Sequence, residues 1–439
     1  MRQLMKTVLP NGTTSFKEKH TMKNYKLLII AFALILLVAA PLVAADYNPE
    51  TSVWYKQAGE PFMGTSTRVL SMGGAGLGVK GYYDSFLINP ANLAGSGFKL
   101  SIPAITITAY NPKAILESGA IEEFEKGTDS SMASGAQKLL GTIKKGYGDL
   151  LTTDTSVVLT LGGFGIALEA QERIMTYKAG ADLTATNLIA QVTTAATVGF
   201  GLNFNVFPDV MSMDIGVAGK AVYKLYLERQ SASSITTMLQ DGDDPADKYL
   251  NGVPLAAGYA IPISAGINFN FPFGLRLSTV GRNFNGKYSM TTFEAVNAWS
   301  EEVLGQSTGF TPSSSFTSET FEFDDGWKLD AGITWAPNLG SLIKPIIAVD
   351  VLDIISLGGL QDEALTRGFF EQTRLGASVR LFSFLDVRYG INKGYQSIGV
   401  GLDLLIFHLD AAYYQLEYGQ DLGDKPIDAL SLRFSLISR

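Results

Sequence analysis

The sequence predicts an all-β chain: a transmembrane antiparallel β-barrel of about 14 strands. Three observations predict it. An export signal lies near the N-terminus, apolar residues recur at every second position further on, and the links between strands alternate between short and long.

The export signal is read from the only long apolar run, Leu27 to Ala45. Lys23 and Lys26 precede it, and Val43-Ala44-Ala45 supplies small residues for cleavage. Residues 1–45 therefore read as a signal peptide, with Met22 as a candidate true start. An uncleaved anchor is the competing reading of so long a run. The 439-residue chain has no cysteine, which excludes disulfides, thiolate metal sites and a lipidated cysteine. Its two histidines are His20 and His408, and only His408 follows the signal, so a multi-histidine metal site is excluded. No cofactor is expected. Residues 1–45 hold six Lys/Arg and one Asp/Glu, which leaves 28 basic and 41 acidic side chains and a net charge of −13. That balance offers nucleic acid no basic patch.

The alternation is clearest in the second half. In "WKLDAGITWA", Trp327, Leu329, Ala331, Ile333 and Trp335 share one face of a strand and Lys328, Asp330, Gly332 and Thr334 the other. "TRLGASVRL" from Thr373, "LSLRFSL" from Leu430 and "MDIGVAGKAVYKLYLE" from Met213 repeat the pattern. A soluble sandwich and a membrane barrel both alternate. Strand length and aromatic rims favour the barrel. Met213 to Glu228 is long for a sandwich, whose strands run to about five or six residues. Trp327 and Trp335 on a strand tilted by about 40° stand roughly 20 Å apart in height, the spacing of two aromatic girdles.

Fourteen strands are read between residues 100 and 437. Links after even-numbered strands are short, as at Gly162-Gly163, Pro208-Asp209, Pro272-Phe273 and Phe382-Ser383. Most links after odd-numbered strands are long: 111–154, 174–195, 229–258, 284–320, 354–371 and 419–426, with 393–395 the exception. Short periplasmic turns and long external loops have this asymmetry. The first long link carries helical apolar spacing in "KAILESGAIEEFEKG" and "SGAQKLLGTIKKGYGDLL", which reads as helices packed over the barrel mouth or as an apolar surface for ligand capture.

Before the first strand stands "MGGAGLGVKGYYDSFLINPANLAG", from Met72 to Gly95. Gly76 to Gly81 matches a dinucleotide fingerprint in letters only. No strand precedes it, and Pro90 blocks a following helix. Gly281 to Lys287 imitates a phosphate-binding loop, but Tyr288 stands where Ser or Thr would hold magnesium. The glycines read instead as compact irregular backbone, which can fill a lumen. Asn89-Pro90 starts a turn and sets the chain direction.

The order "RVLSMGGAGLGVKGYYDSFLINPANLA" followed by "LSIPAITITAY" resembles the N-terminal hatch and first strand of the long-chain fatty acid outer-membrane transporter (FadL/TodX) family, in the manner of a divergent spirochaete-type paralogue. The matching positions are Gly73, Gly74, Gly76, Asp84, Asn89, Pro90 and Ala91, together with Ala75. The last hairpins, "VRYGINKGYQSIGVGLDLLIFHLDAAYYQLEYGQDLG", are also similar. The Ile437-Ser438-Arg439 end departs from the aromatic terminus of many outer-membrane barrels. The resemblance implies a hatch over 46–98 plugging the lumen of a barrel over 99–439, in the outer membrane of a diderm bacterium. It implies passive diffusion of long-chain fatty acids or other hydrophobic small molecules, lateral exit through the wall, and barrel-assembly machinery and outer-membrane lipid as partners. The hatch signature is shared with PorV-like secretion components, so an outer-membrane scaffold that binds protein partners is the alternative. An enzyme is not expected, because His408 is the only mature histidine and no nucleophile elbow is present.

Overall fold

The computed structural model describes residues 66–180, 182, 185–240, 250–404, 406–418 and 422–438. The expected signal peptide and the first part of the expected hatch, residues 46–65, lie outside them.

A short plug segment, 66–98, opens the described chain. It holds α1 (Thr67–Ser71), α2 (Ser85–Ile88) and a tight helical turn at Pro90–Leu93. The wall follows: β1 (Lys99–Tyr110), β2 (Gly146–Leu161), β3 (Phe164–Lys178), β4 (Thr186–Phe207) and β5 (Met211–Leu227). Next come three strands in two segments each: β6 (Leu255–Ala260 and Ile263–Asn270), β7 (Leu275–Phe284 and Lys287–Phe293) and β8 (Thr320–Asp324 and Lys328–Trp335). The wall ends with β9 (Ile343–Val351), β10 (Thr373–Leu381), β11 (Leu385–Asn392), β12 (Tyr395–Leu404), β13 (Phe407–Glu417) and β14 (Pro426–Ser438). Each strand pairs antiparallel with its sequence neighbours. β1 closes the ring, with Ile107 facing Thr153 of β2 on one side and Leu432 of β14 on the other. The wall is therefore a closed barrel of 14 strands.

Its polarity is inverted relative to a water-soluble sandwich. On β1, Ile107 is 51% exposed while Thr106 and Thr108 are 3% and 1% exposed. Val198, Phe200, Leu202, Val217, Ile333, Val387 and Leu432 face outward, and Asp214, Asn268, Asp330, Asp350, Arg388 and Ser431 are buried inside. Exposed apolar side chains in unbroken alternation around a closed ring need an apolar solvent, and a closed ring is the β form that satisfies its backbone there. Phe164 and Phe200, Phe382 and Phe384, and Phe407 and Phe434 form ring pairs near the short-turn end, as an interfacial girdle does. Together these make the chain an integral outer-membrane β-barrel.

The strand count matches the sequence expectation, but several strands run further outward. β2 begins at Gly146 rather than near 155, β3 ends at Lys178, β4 begins at Thr186, and β7 continues to Phe293. The outer ends of β2 to β4 pack partly under external helices, so apolar residues such as Leu150, Met175 and Ile189 are buried there and the alternation fades. α3 (Pro112–Glu117), α4 (Ala120–Lys126), α5 (Asp129–Gly141) and α6 (Ala232–Gln240) cover one side, with Leu140, Ile143, Leu150, Leu188 and Ala232 in one apolar cluster. α7 (Val296–Leu304) covers the other, and Trp299 Nε1 donates to the Tyr223 hydroxyl at 2.8 Å. α8 (Asp362–Gln372) leads into β10. The first external helices thus pack over the mouth.

α4 and α5 are clasped by Glu123, which accepts from Lys126 and Lys138 at 2.7 Å each. Hydrogen bonds from Lys126 and then Lys138 hold the Glu123 carboxyl at about 2, below its usual value of 4.5. A depressed carboxylate stabilises above its unfolded value and stops doing so as pH falls through the folded one. The clasp is expected to hold at pH 5 and to loosen between pH 4.5 and 2. Amide exchange of α4 across that range checks it, and a clasp unchanged at pH 2 would contradict it.

Three neighbouring strands are interrupted at adjoining places: β6 at Ile261-Pro262, β7 at 285–286 and β8 at 325–327. Pro262 has no N–H to give the ladder, although its carbonyl accepts from Lys220 N at 3.0 Å. Asn283 and Asn285 both take φ of 62°, and the register between β6 and β7 slips between Ile263 and Ala265. This is a line of stacked bulges. The phosphate-loop imitation at 281–287 is part of it: the strand resumes at Lys287 instead of entering the long loop there.

Candidate functional site

The plug is held by hydrogen bonds that begin in its own turns. Ser66 caps α1 by accepting from Val69 N at 3.4 Å. Gly73 and Gly74 then take φ of 66° and 87°, which reverses the chain at little steric cost. The next turn presents two consecutive N–H groups to the wall. Asp350 Oδ2 on β9 accepts from Gly76 N at 2.6 Å and Leu77 N at 2.9 Å.

Asn89 joins three chain segments. Its Oδ1 accepts from Ala91 N at 2.9 Å and caps the turn that Pro90 begins. Its Nδ2 donates to Leu77 O at 3.0 Å and to Asn268 Oδ1 on β6 at 2.9 Å. Asn268 Nδ2 in turn donates to Asn92 Oδ1 at 3.1 Å. Asn89, Pro90 and Ala91 are all buried, Asn89 completely. Asp84 accepts from Arg68 at 3.0 Å, which staples α2 to α1, and Lys80 pairs with Asp214 of β5 at 2.9 Å. All seven expected hatch residues thus lie in one seated segment: Gly73, Gly74 and Gly76 shape its first turns, Asp84 staples it, and Asn89, Pro90 and Ala91 fix its end.

Sequence reasoning missed the wall side of this contact. Inward positions that face the plug are glycine. A Cβ on Gly376 would lie 2.6 Å from Met72 O, and one on Gly201 2.6 Å from Ala94 N. One on Gly390 would overlap Gly73 N, one on Gly216 the Pro90 carbonyl carbon, and one on Gly266 the Asn89 side chain. At four of these five glycines, backbone therefore rests on backbone. The signal was present, because each of these glycines holds a lumen-facing place in an alternating strand where a polar residue is the rule.

Two narrow cavities flank α2. The first runs from the plug residues Phe86, Leu87, Ile88 and Pro90 to Pro262, Arg282 and Asn283 of the bulge line. Both of its basic wall residues have acidic partners: Lys220 with Glu169 at 3.5 Å and Arg282 with Asp330 at 2.5 Å. The second lies against β1, β2, β3 and β14.

His408 lies inside the wall and away from both cavities. Its Nδ1 meets Asp403 at 2.5 Å and its Nε2 meets Asp410 at 2.6 Å. Arg380 pairs with Asp386 and Asp403, and Arg388 with Asp386 and Asp410. Three basic groups and three carboxylates close on one another. The ring braces β10 to β13 and leaves His408 no free nitrogen for proton transfer. Replacing His408→Ala leaves Asp403 to Arg380 and Asp410 to Arg388, with three carboxylates against two guanidiniums, and breaking such a buried set costs about 3 kcal/mol or more. The variant should lose its folded, heat-modifiable band at a clearly lower temperature; an unchanged transition would remove the bracing role.

No protein-family model matches the chain, and no curated protein does. Among solved structures it is similar to the CymD monoaromatic hydrocarbon channel, at 13% identity over 86% of this chain and 97% of that one, with a TM-score of 0.45. The Ralstonia pickettii toluene transporter TbuX is similar at 11% identity over 86% of this chain and 98% of that one, with a TM-score of 0.45. A Pseudomonas aeruginosa FadL homologue is similar at 13% identity over 85% of this chain and 97% of that one, with a TM-score of 0.39.

Proposed function

We propose that this barrel carries hydrophobic small molecules, long-chain fatty acids among them, by passive diffusion past its plug. The observation that carries this reading is the first cavity. It is apolar on its plug side, through Phe86, Leu87, Ile88 and Pro90, and it ends at a wall region where three adjoining strands are interrupted. A molecule bound there lies between the lumen and the weakest part of the ladder. An acyl chain gains about 0.8 kcal/mol for each CH₂ that leaves water. Transfer from the external side to the cavity, and from the cavity to lipid, then needs no covalent step.

The plug works as a hatch in this reading. It has to shift locally, because α2 and the Pro90 turn fill the lumen beside the cavity. Lateral exit is at Ile261-Pro262, Asn285-Gly286 and Asp325 to Trp327, beneath the external segments of β6, β7 and β8. The scaffold alternative needs a protein partner and assigns the cavity no task.

Binding of a labelled long-chain fatty acid to the folded barrel in detergent tests the reading, with a medium-chain alcohol and a soluble sugar as competitors. Saturable binding displaced only by the amphiphile is expected. A folded barrel that binds none of them would overturn it and favour the scaffold. A substitution inside the cavity adds a second check: Leu87→Glu places a charge between the apolar plug residues, and at least a tenfold loss of binding is expected.

A further inference from the structure

The short-turn end of the barrel carries a surface that the plug and its cavities do not use. The wall is uneven in height. β2 to β5 hold 15 to 22 residues each, whereas β9 to β12 hold 8 to 10. On β10 and β11 the outward apolar columns run from Leu375 to Leu381 and from Leu385 to Ile391. At about 3.3 Å per residue and a tilt of about 40°, each column is roughly 15 Å tall, against about 25 Å for the apolar band of an outer-membrane barrel. Above, these strands meet polar residues at once, Gln372 and Thr373 before β10 continues and Lys393 in the turn after β11.

Below, the apolar surface continues through four neighbouring turns. Phe273 lies between β6 and β7, Leu339 and Leu342 between β8 and β9, Phe382 and Phe384 between β10 and β11, and Ile406 between β12 and β13. All are exposed, Phe273 by 89%. Residues 271–275, 336–343, 381–385 and 404–407 contain no charged side chain. Phe273 and Phe382 take φ of 60° and 51°. That region favours glycine, asparagine and aspartate, so phenylalanine is there for its side chain and not for the turn. The turns on the other arc use the ordinary residues: Gly162 and Gly163 after β2, and Asp209, with φ of 63°, after β4.

We infer that the short-turn rim from β6 to β13 is sunk in the inner leaflet of the outer membrane, its turn tips among acyl chains, while the rim from β2 to β5 stands in water. The phospholipid leaflet is the partner because the patch continues the lipid-facing wall: Leu277 and Leu275 lead down to Phe273, Ile347 and Ile343 to Leu342, and Leu409 and Phe407 to Ile406. A soluble protein or a second copy would find no charge on these turns to fix its orientation. The turn tips supply the height that the short strands lack. The barrel then leans, and the interruptions of β6 to β8 lie on the side that sinks.

The lack of cysteine allows one nitroxide label to be placed at a time. Phe273→Cys, Leu339→Cys, Phe382→Cys and Ile406→Cys are labelled, with Asp209→Cys as the reference. Each whole folded barrel is reconstituted in phosphatidylethanolamine–phosphatidylglycerol vesicles. Collision with oxygen, which concentrates among acyl chains, is compared with collision with a water-soluble nickel chelate. The four turn labels are expected to give an oxygen-to-nickel ratio at least fivefold above that at position 209. Ratios equal to the reference would overturn the inference and leave the rim in water, open to a soluble partner. Spin–spin broadening between labels of different barrels would overturn it in favour of a second copy. Heat-modifiable folding is checked for every variant, and the four positions are read independently, so the loss of one leaves three to decide.

Discussion

Gly216→Val should turn a plugged barrel into an open one. The added Cβ would overlap the carbonyl carbon of Pro90, and two further methyls would press on the same turn. Overpacking of this kind costs about 1–3 kcal/mol when a core can adjust. Here both partners are backbone, and the strand ladder on β5 holds one of them fixed, with Gly216 paired to Gly201 and Gly266 on either side. The plug is the side that moves. In planar bilayers the unaltered barrel should show little steady conductance, and the variant should show discrete ionic steps. Limited proteolysis should cut the 72–95 region in the variant alone. A variant that stays closed and protease-resistant would mean that the plug accommodates the valine, and that backbone contact is not what seats it.

Asn89→Leu should have the second largest effect, by a different route. The side chain satisfies Ala91 N, Leu77 O and Asn268 Oδ1 at once, and it is fully buried. Leucine has a comparable volume but leaves Ala91 N without its acceptor, while Leu77 O keeps Asn92 and Asn268 Oδ1 keeps Ser278 as donors. Each unsatisfied buried group costs about 1–3 kcal/mol. The loss falls on the plug and not on the wall, because the ladder hydrogen bonds are untouched. Amide exchange should rise by at least tenfold at 77, 89 and 91–94 and remain slow in β9 to β14. Uniform acceleration across wall and plug would show instead that the barrel depends on this residue to fold. Asn89→Asp keeps the cap on Ala91 N but loses the donor, so an intermediate effect is expected.

The fold was legible because a membrane barrel writes its wall in a period of two. Leu430, Leu432, Phe434 and Leu436 lie outward and Ser431, Arg433 and Ser435 inward, as their order requires. The outer parts of β2 to β4 were not legible. Gly146 to Thr152 lies partly under external helices, and Leu150 packs into their apolar cluster, so neither face keeps a consistent polarity. The interruptions of β6 to β8 had only Pro262 and a few Asn and Gly residues to mark them. The plug was legible on one side. Gly73 to Ala91 stood out as a run, whereas its seat is one glycine from each of several strands and becomes a surface only when the sheet closes. Asp350 and Asn268 were hidden for the same reason: each is one more polar residue at an inward position until the plug is beside it.

The closure of β1 on β14 sets a condition on assembly. Ile107 and Leu432 meet across that seam although more than three hundred residues separate them in the chain, so it is the pairing with the greatest entropic cost and the slowest to form. The plug segment emerges from the exporting machinery before every strand of the wall. It can serve as a former on which the inward glycines of successive strands find their places. Sealing the seam then encloses a segment already in position, as a cooper's hoops close staves over a core. A plug that arrives late has to enter by the mouth, past the external helices. Delay of seam closure, followed by cross-linking across β1 and β14, would separate the two orders of events.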